Sequence, residues 1–313
     1  MSRAFVFPGQ GSQKVGMGVA LAEAFPTARH VFEEVDDALE QRLFRLMAEG
    51  PEDELTLTTN TQPALMASSI AVLRVLEAEG GHALDQMVAM VGGHSLGEYS
   101  ALVAAGSLPL AETARLLRLR GEAMQEAVPV GEGAMAAILG LELDDVHALV
   151  DEAAAIGVCA VANDNSTGQV VVSGAKDAVE KAAELATEKG AKRAIMLPVS
   201  APFHCPLMQP AAERMAEALE TVTIGAPAVP VVANVTAQPV SVPETLRGLL
   251  VEQVTATVRW REGVLTMKQH DVDTLIELGT GKVLSGLARR IDRDLKGVSV
   301  ETPDDVEAVL KTF

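Results

Sequence analysis

Gly93-His94-Ser95-Leu96-Gly97 sets a hydroxyl between two glycines, with an apolar run entering it and a helical stretch, Gly97–Ala105, leaving it. A serine on such a strand-to-helix turn is pushed outward, where its oxygen can attack a carbonyl carbon. The helix that follows points its free N–H groups back at the same spot, where an oxyanion would form. An ordinary glycine-rich turn would also fit the bare pattern, so the flanking elements carry the reading.

A serine hydroxyl needs a base. The chain has six histidines. His30 and His147 sit in acidic helical patterns and read as solvated, and His82 and His270 fall in polar turns. His94 adjoins Ser95 but points away from it on an extended chain, and reads as a structural group. His204 differs, because it follows the strand-like Ile195–Val199 in Ser200-Ala-Pro-Phe-His-Cys. That puts it in a loop at the carboxyl end of a strand, where α/β sites gather. A second glycine-rich loop, Pro8-Gly-Gln-Gly-Ser-Gln13, also follows a strand and can present N–H groups to an oxyanion. Neither this loop nor Gly279-Thr-Gly-Lys-Val has the spacing of a phosphate-binding P-loop.

The elements that must hold these groups alternate. Ala4–Phe7, Met87–Val91, Val229–Val232 and Thr274–Leu278 read as strands. Pro63–Ala78 and Ala111–Ala127 read as helices, the first with its proline at the opening position. Such alternation implies an α/β fold, a mainly parallel sheet covered on both faces. From Ala134 the rhythm changes. Two strand-helix-strand units follow: Ala134–Leu139, Asp144–Ala155 and Val158–Ala162, then Gln169–Ser173, Asp177–Lys189 and Arg193–Pro198. This is the pattern of a ferredoxin-like α+β subdomain. The expected division is therefore a large domain, 1–128 and 199–313, and an inserted small one, 129–198.

Composition narrows the function. The 313 residues carry a formal net charge of -18 and only 3% aromatics, so neither phosphate neutralisation nor base stacking is favoured and no nucleic-acid partner is expected. No apolar stretch approaches membrane-spanning length and no signal peptide is read, so no membrane role is expected. Cys159 and Cys205 give neither a disulfide framework nor a metal cluster. Asn165-Ser-Thr and Asn234-Val-Thr match the glycosylation pattern by chance.

Together the motifs resemble the malonyl-CoA:acyl carrier protein transacylases of dissociated fatty acid synthesis. The likeness runs through Phe7–Gln13, Thr61-Gln-Pro-Ala64, Gly93–Gly106, Arg120-Gly121, Met124–Pro129, Asn165, Gly168–Val171, Phe203-His-Cys205 and Gly281–Leu284. It implies a hydrolase-like domain with a ferredoxin-like insertion, and transfer of malonyl from malonyl-CoA to acyl carrier protein through an ester on Ser95. It implies His204 as general base and the amides of Gln10 and Leu96 as oxyanion hole. It also implies Arg120 as the group that binds the malonyl carboxylate, and the Gln253 carbonyl as the group that orients the histidine. No metal and no bound cofactor are implied, since the coenzyme A thioester is substrate. A cytoplasmic monomer is expected.

The residues alone leave several points open. Arg115, Arg118 and Arg120 share one helix and are not distinguished without the resemblance; Arg115 and Arg118 read as solvated. The aspartates between Ser95 and His204 fall in the insertion, which favours a Ser-His dyad held by a carbonyl over a triad. Phe203 precedes the histidine, and in related polyketide acyltransferases a bulky aromatic there accompanies malonyl use. Arg289, Arg290, Arg293 and Lys296 form a basic patch suited to an acidic carrier protein, or a solvated helix face. The alternatives are a polyketide-type acyltransferase with another extender unit, a serine thioesterase or hydrolase, and a carrier-binding module without activity.

Overall fold

A computed structural model describes residues 2–313. Ten strands form two sheets. They are β1 (Ser2–Phe7), β2 (Met90–Gly93), β3 (Gly133–Leu139), β4 (Cys159–Ser166), β5 (Gln169–Ala175), β6 (Arg193–Met196), β7 (Val231–Val232), β8 (Pro239–Val240), β9 (Val272–Leu278) and β10 (Lys296–Val300).

The larger sheet has the order β10-β9-β1-β2-β7-β8 and is parallel except for β8. Strand β1 shows why it must be covered on both sides. Phe5 and Phe7 enter one hydrophobic core, while Ala4 and Val6 on the opposite face enter another with Trp260, Val264 and Leu287. The smaller sheet, β4-β5-β3-β6, is antiparallel and spans Gly133–Met196 with two helices, Leu143–Ala153 and Lys176–Glu188. Its strand-helix-strand repeat is the ferredoxin-like arrangement. Ala136, Ile138, Val170 and Val172 pack under the helices. Met135, Ala162 and Val171, on the other face, pack towards Val199 and Phe203.

Several boundaries differ from the sequence reading. Met87 ends a short helix, Leu84–Met87, and β2 begins only at Met90. Pro63 lies inside a 23-residue helix, Thr58–Gly80, rather than at its start. Proline cannot donate to the carbonyl of Thr59 one turn earlier, and that carbonyl accepts Arg118 Nε at 2.9 Å instead. Arg118 is thus half-buried and bound, also to Gln41 and Asn60, and is not the solvated side chain expected. Strand β10 was not expected at all: Lys-Gly-Val-Ser-Val lacks an apolar run because this edge strand is largely exposed.

The serine turn is a close three-way approach of backbone. A Cβ on Gly93 would stand 2.0 Å from the Gly97 carbonyl, and one on Gly97 would stand 2.2 Å from the carbonyl oxygen of Phe7. Both glycines are needed so that the buried helix Leu96–Ala104 can start against β1. By contrast, Gly248 and Gly286 sit in helices with nothing within 4 Å of an added Cβ. In chemical denaturation, Gly97→Ala should lose about 2 kcal/mol or more, whereas Gly248→Ala should gain roughly 0.4–1 kcal/mol. Equal midpoints for the two variants would mean that the turn tolerates a side chain.

Candidate active site

Ser95 caps the Leu96–Ala104 helix at φ 53°, the left-handed region that a non-glycine residue rarely adopts. Its amide is tied to Asn234 Oδ1 at 2.7 Å, and Asn234 Nδ2 donates to the Gly93 carbonyl at 2.7 Å. Asn234 follows β7 at its carboxyl end, so the neighbouring strand clamps both sides of the turn. The Ser95 amide is therefore spent on structure. The Leu96 amide, first in the helix, and the Gln10 amide have no acceptor among the described residues, and both residues line the cavity over Ser95. Two unspent donors beside the hydroxyl are the geometry an oxyanion requires.

His204 also has positive φ, 58°. It is 4% exposed, with Nε2 2.8 Å from Ser95 Oγ and Nδ1 2.9 Å from the Gln253 carbonyl oxygen. A carbonyl can only accept, so Nδ1 carries the proton and the lone pair of Nε2 faces the serine. No carboxylate takes the third place. Burial, and then the charge of Arg120, push the imidazole down to about 3, so it stays neutral and ready to accept a proton.

Arg120 is 1% exposed. It reaches the site from the Leu110–Glu126 helix, and its partners are all neutral. Nη1 donates to Gln62 Oε1 at 2.8 Å; Nη2 donates to Gln253 Oε1 at 2.9 Å and to Ser95 Oγ at 3.1 Å. The guanidinium lies 5.5 Å from the centre of the Tyr99 ring, and its Nε is buried without an acceptor. Burial lowers its pKa from the ordinary value, against the opposing pull of Tyr99 and of Glu98, whose carboxylate bonds Gln253 and not the guanidinium itself. A carboxylated ligand arriving beside Ser95 would meet the guanidinium directly through a forked contact.

The remaining walls come from two helices, a loop and the smaller sheet. A cavity of about 140 Å³ is lined by Gln62, Met124, Met135, Asn163 and Phe203 together with Ser95, Leu96, Gln10, Arg120 and His204. Register shifts in β4 turn three consecutive residues outward to different partners. Asn163 faces the cavity, Asp164 pairs with Arg261 at 2.9 Å, and Asn165 bonds His94 Nε2 at 2.8 Å. His94 thus joins the serine turn to the smaller sheet, and burial pushes its pKa down.

Ser95, His204, Arg120, Gln253, Gln10 and Leu96 converge. Arg115 is exposed and bonds the Ala38 carbonyl away from the cavity. Sequence reasoning missed Gln62, Asn234 and Glu98 as members. Glu98 left a signal, the one charged residue in the Leu96–Ala105 stretch, and Asn234 another, a polar residue just after a buried strand. Among the described residues no metal-binding cluster occurs, and no helix is long and apolar enough to cross a membrane.

A histidine held neutral when folded binds fewer protons than in the unfolded chain between about pH 3 and 6.5, so stability falls as pH drops through that window. His204→Gln should remove this loss, worth up to about 1.4 kcal/mol per pH unit. Unfolding curves near pH 6.5 and about 4.5 check it. An unchanged difference between the two pH values would mean that His204 is not the group titrating.

Comparison with known proteins places this geometry among acyl-transferring enzymes. The family model described as acyl transferase domain matches residues 4–300. The malonyl CoA-acyl carrier protein transacylase of Bacillus subtilis (strain 168) is 47% identical, over 99% of this chain and 96% of its own. The crystal structure of an acyl-carrier-protein-S-malonyltransferase from Bartonella henselae superposes with a TM-score of 0.98 at 57% identity, covering 100% of this chain and 99% of that one. A type II PKS acyl-carrier protein in complex with its malonyl-transacylase contains a chain that matches at a TM-score of 0.97 and 44% identity, with 100% of each chain covered.

Proposed function

Because the chain belongs to the acyl transferase domain family, we infer that it transfers malonyl groups from malonyl-CoA to the phosphopantetheine thiol of acyl carrier protein. One observation carries the choice of acyl group: a buried guanidinium with only neutral partners stands 3.1 Å from the serine oxygen.

The chemistry proceeds in two half-reactions. Ser95 Oγ attacks the thioester carbonyl as His204 Nε2 takes its proton, and the amides of Gln10 and Leu96 receive the oxyanion. The carbon–sulfur bond breaks, and His204 returns the proton to the departing coenzyme A sulfur. The carrier thiol then gives its proton to His204 and attacks the malonyl ester, and Ser95 recovers the proton. Arg120 holds the malonyl carboxylate throughout. A malonyl carboxylate paired with Arg120 would also offset the charge that, after burial, most depresses His204. Coenzyme A enters as substrate, and no resident cofactor has a part in these steps. Every side chain used comes from one chain, which supports a working monomer, and the soluble substrates support a cytoplasmic location.

Carrier docking is assigned to a basic groove. Lys192, Arg289, Arg290 and Arg293 line a cavity of about 580 Å³ between the β4–β5 turn and the Val283–Ile291 helix. On a chain of net charge -18, this local patch is what an acidic carrier would meet. Reversing the charge of Arg289 and Arg290 should raise KM for carrier protein and leave KM for malonyl-CoA unchanged. Equal rises in both would remove the groove from carrier docking.

Intact mass after incubation with malonyl-CoA should show one malonyl adduct, absent in Ser95→Ala; an adduct that persists in that variant would overturn the ester on Ser95. Arg120→Ala should lower the malonyl-to-acetyl ratio of kcat/KM by roughly ten- to a hundredfold, the worth of a charge-assisted contact. Arg120→Lys should restore part of it, since the fork is gone. An unchanged ratio in Arg120→Ala would show that this guanidinium does not read the carboxylate.

A further inference from the structure

Among the described residues three carboxylates are fully buried, and two have evident structural partners. Asp164 pairs with Arg261, and Glu277 caps the Val283–Ile291 helix by accepting from the amides of Leu284 and Ser285 and from Ser285 Oγ. Glu98 forms no ion pair. Its Oε2 accepts from the Asn234 amide at 2.9 Å and from Gln253 Nε2 at 2.8 Å, while Oε1 is buried with no partner.

Those two partners hold everything else. Asn234 fixes the Ser95 amide and the Gly93 carbonyl. Gln253 Nε2 also donates to the Ser95 carbonyl at 3.0 Å, Gln253 Oε1 accepts from Arg120, and the Gln253 backbone carbonyl holds His204. A primary amide could rotate by half a turn, exchanging its oxygen and nitrogen. In that flipped state Gln253 would aim N–H groups at the Arg120 guanidinium, donor against donor. The anionic oxygen of Glu98 opposes it together with the Ser95 carbonyl, since only the nitrogen can donate to either, and the charge makes Glu98 the stronger acceptor. We propose that Glu98 is a positioning residue, which fixes the orientation of the Gln253 amide and of Asn234 and thereby aligns Arg120, His204 and Ser95.

The inference rests on the roles assigned above to Ser95, His204 and Arg120. Desolvation raises the Glu98 carboxyl to about 7, against the opposing pull of the Asn234 and Gln253 hydrogen bonds and the Arg120 charge. The charged and titratable groups around it are Arg120 from the Leu110–Glu126 helix and Tyr99 on its own helix, with His204 bound to the backbone of the same Gln253. Tyr99 is pushed up to about 12 and His204 down to about 3, so neither titrates near neutrality. Protonation of Glu98 gives it a donor of its own and loosens its hold on Gln253. The alignment is therefore complete above pH 7 and weakens below it.

The test measures single-turnover acylation of Ser95 by malonyl-CoA and by acetyl-CoA, from about pH 5.5 to 8.5, in wild type, Glu98→Gln and Glu98→Ala. The wild-type malonyl rate should rise through about pH 7. Glu98→Gln, neutral at every pH, should lose that rise and stay roughly three- to tenfold slower at pH 8, with KM little changed. Glu98→Ala should lose about ten- to a hundredfold in rate, and its malonyl-to-acetyl ratio should fall because Arg120 is no longer held. A purely structural role would lower the melting temperature without moving the pH profile or the ratio. If Glu98→Gln keeps the wild-type rate and the same rise near pH 7, the proposal is wrong; that variant decides alone should Glu98→Ala fail to fold. Labelling that persists in Ser95→Ala would instead overturn the catalytic reading itself, whatever Glu98 does.

Discussion

A guanidinium taken fully out of water costs several kcal/mol unless its donors are met, and much of the arrangement around Arg120 answers to that cost. The long buried helix Thr58–Gly80 supplies Gln62, the segment after the Pro243–Glu252 helix supplies Gln253, and the serine itself supplies Oγ. These acceptors are neutral, and the buried carboxylate Glu98 bonds Gln253 and not the guanidinium, so no direct ion pair forms. An ion pair there would be satisfied within the protein and would have no reason to exchange partners with a ligand. After burial, the same charge depresses His204, which ties recognition of the acyl group to the state of the base.

What is legible in the sequence follows from how far apart the interacting residues lie. The turn at Ser95 is local: its glycines, its entering strand and its leaving helix are contiguous, and the pattern contains the reason for them. His204 is picked out by its place after a strand, although that strand, β6, ends at Met196 in the antiparallel sheet, so the rule for parallel sheets reaches the residue without describing its setting. The alternation of elements gives the parallel sheet, and its change of rhythm gives the antiparallel insertion. Arg120 is different. Three arginines share its helix; Arg120 and Arg118 bond the Thr58–Gly80 helix and are buried and half-buried, while the exposed Arg115 bonds Ala38 of another helix. Gln62, Asn234 and Glu98 are harder still, because each matters through partners that lie far along the chain. The proline at 63 shows the same limit: its helix tolerates it because a distant arginine takes up the freed carbonyl.

The two sheets meet where the reaction is assigned. On one side of the seam β4 runs beside residues 257–258, with Val258 N bonded to the Ala162 carbonyl and Asp164 N to the Val258 carbonyl, each within 3.0 Å. Asp164–Arg261 and His94–Asn165 reinforce that side. On the other side Pro202 packs so closely on Gly133 that a Cβ there would stand 2.4 Å from its ring. The smaller sheet therefore forms one wall of the cavity, with Met135 and Asn163 carried on strands and not on a loop.

Ser95 and His204 share a backbone peculiarity, a positive φ at both. A side chain branched at Cβ meets the preceding backbone in that conformation and is a steric outlier there, whereas an unbranched one is merely uncommon. Threonine carries the same hydroxyl and lies one methyl away, yet the turn that exposes the oxygen denies that methyl a place. Cysteine has no branch and could enter without moving the chain. At this turn the backbone therefore admits an exchange of oxygen for sulfur more readily than the exchange of serine for its nearest chemical twin.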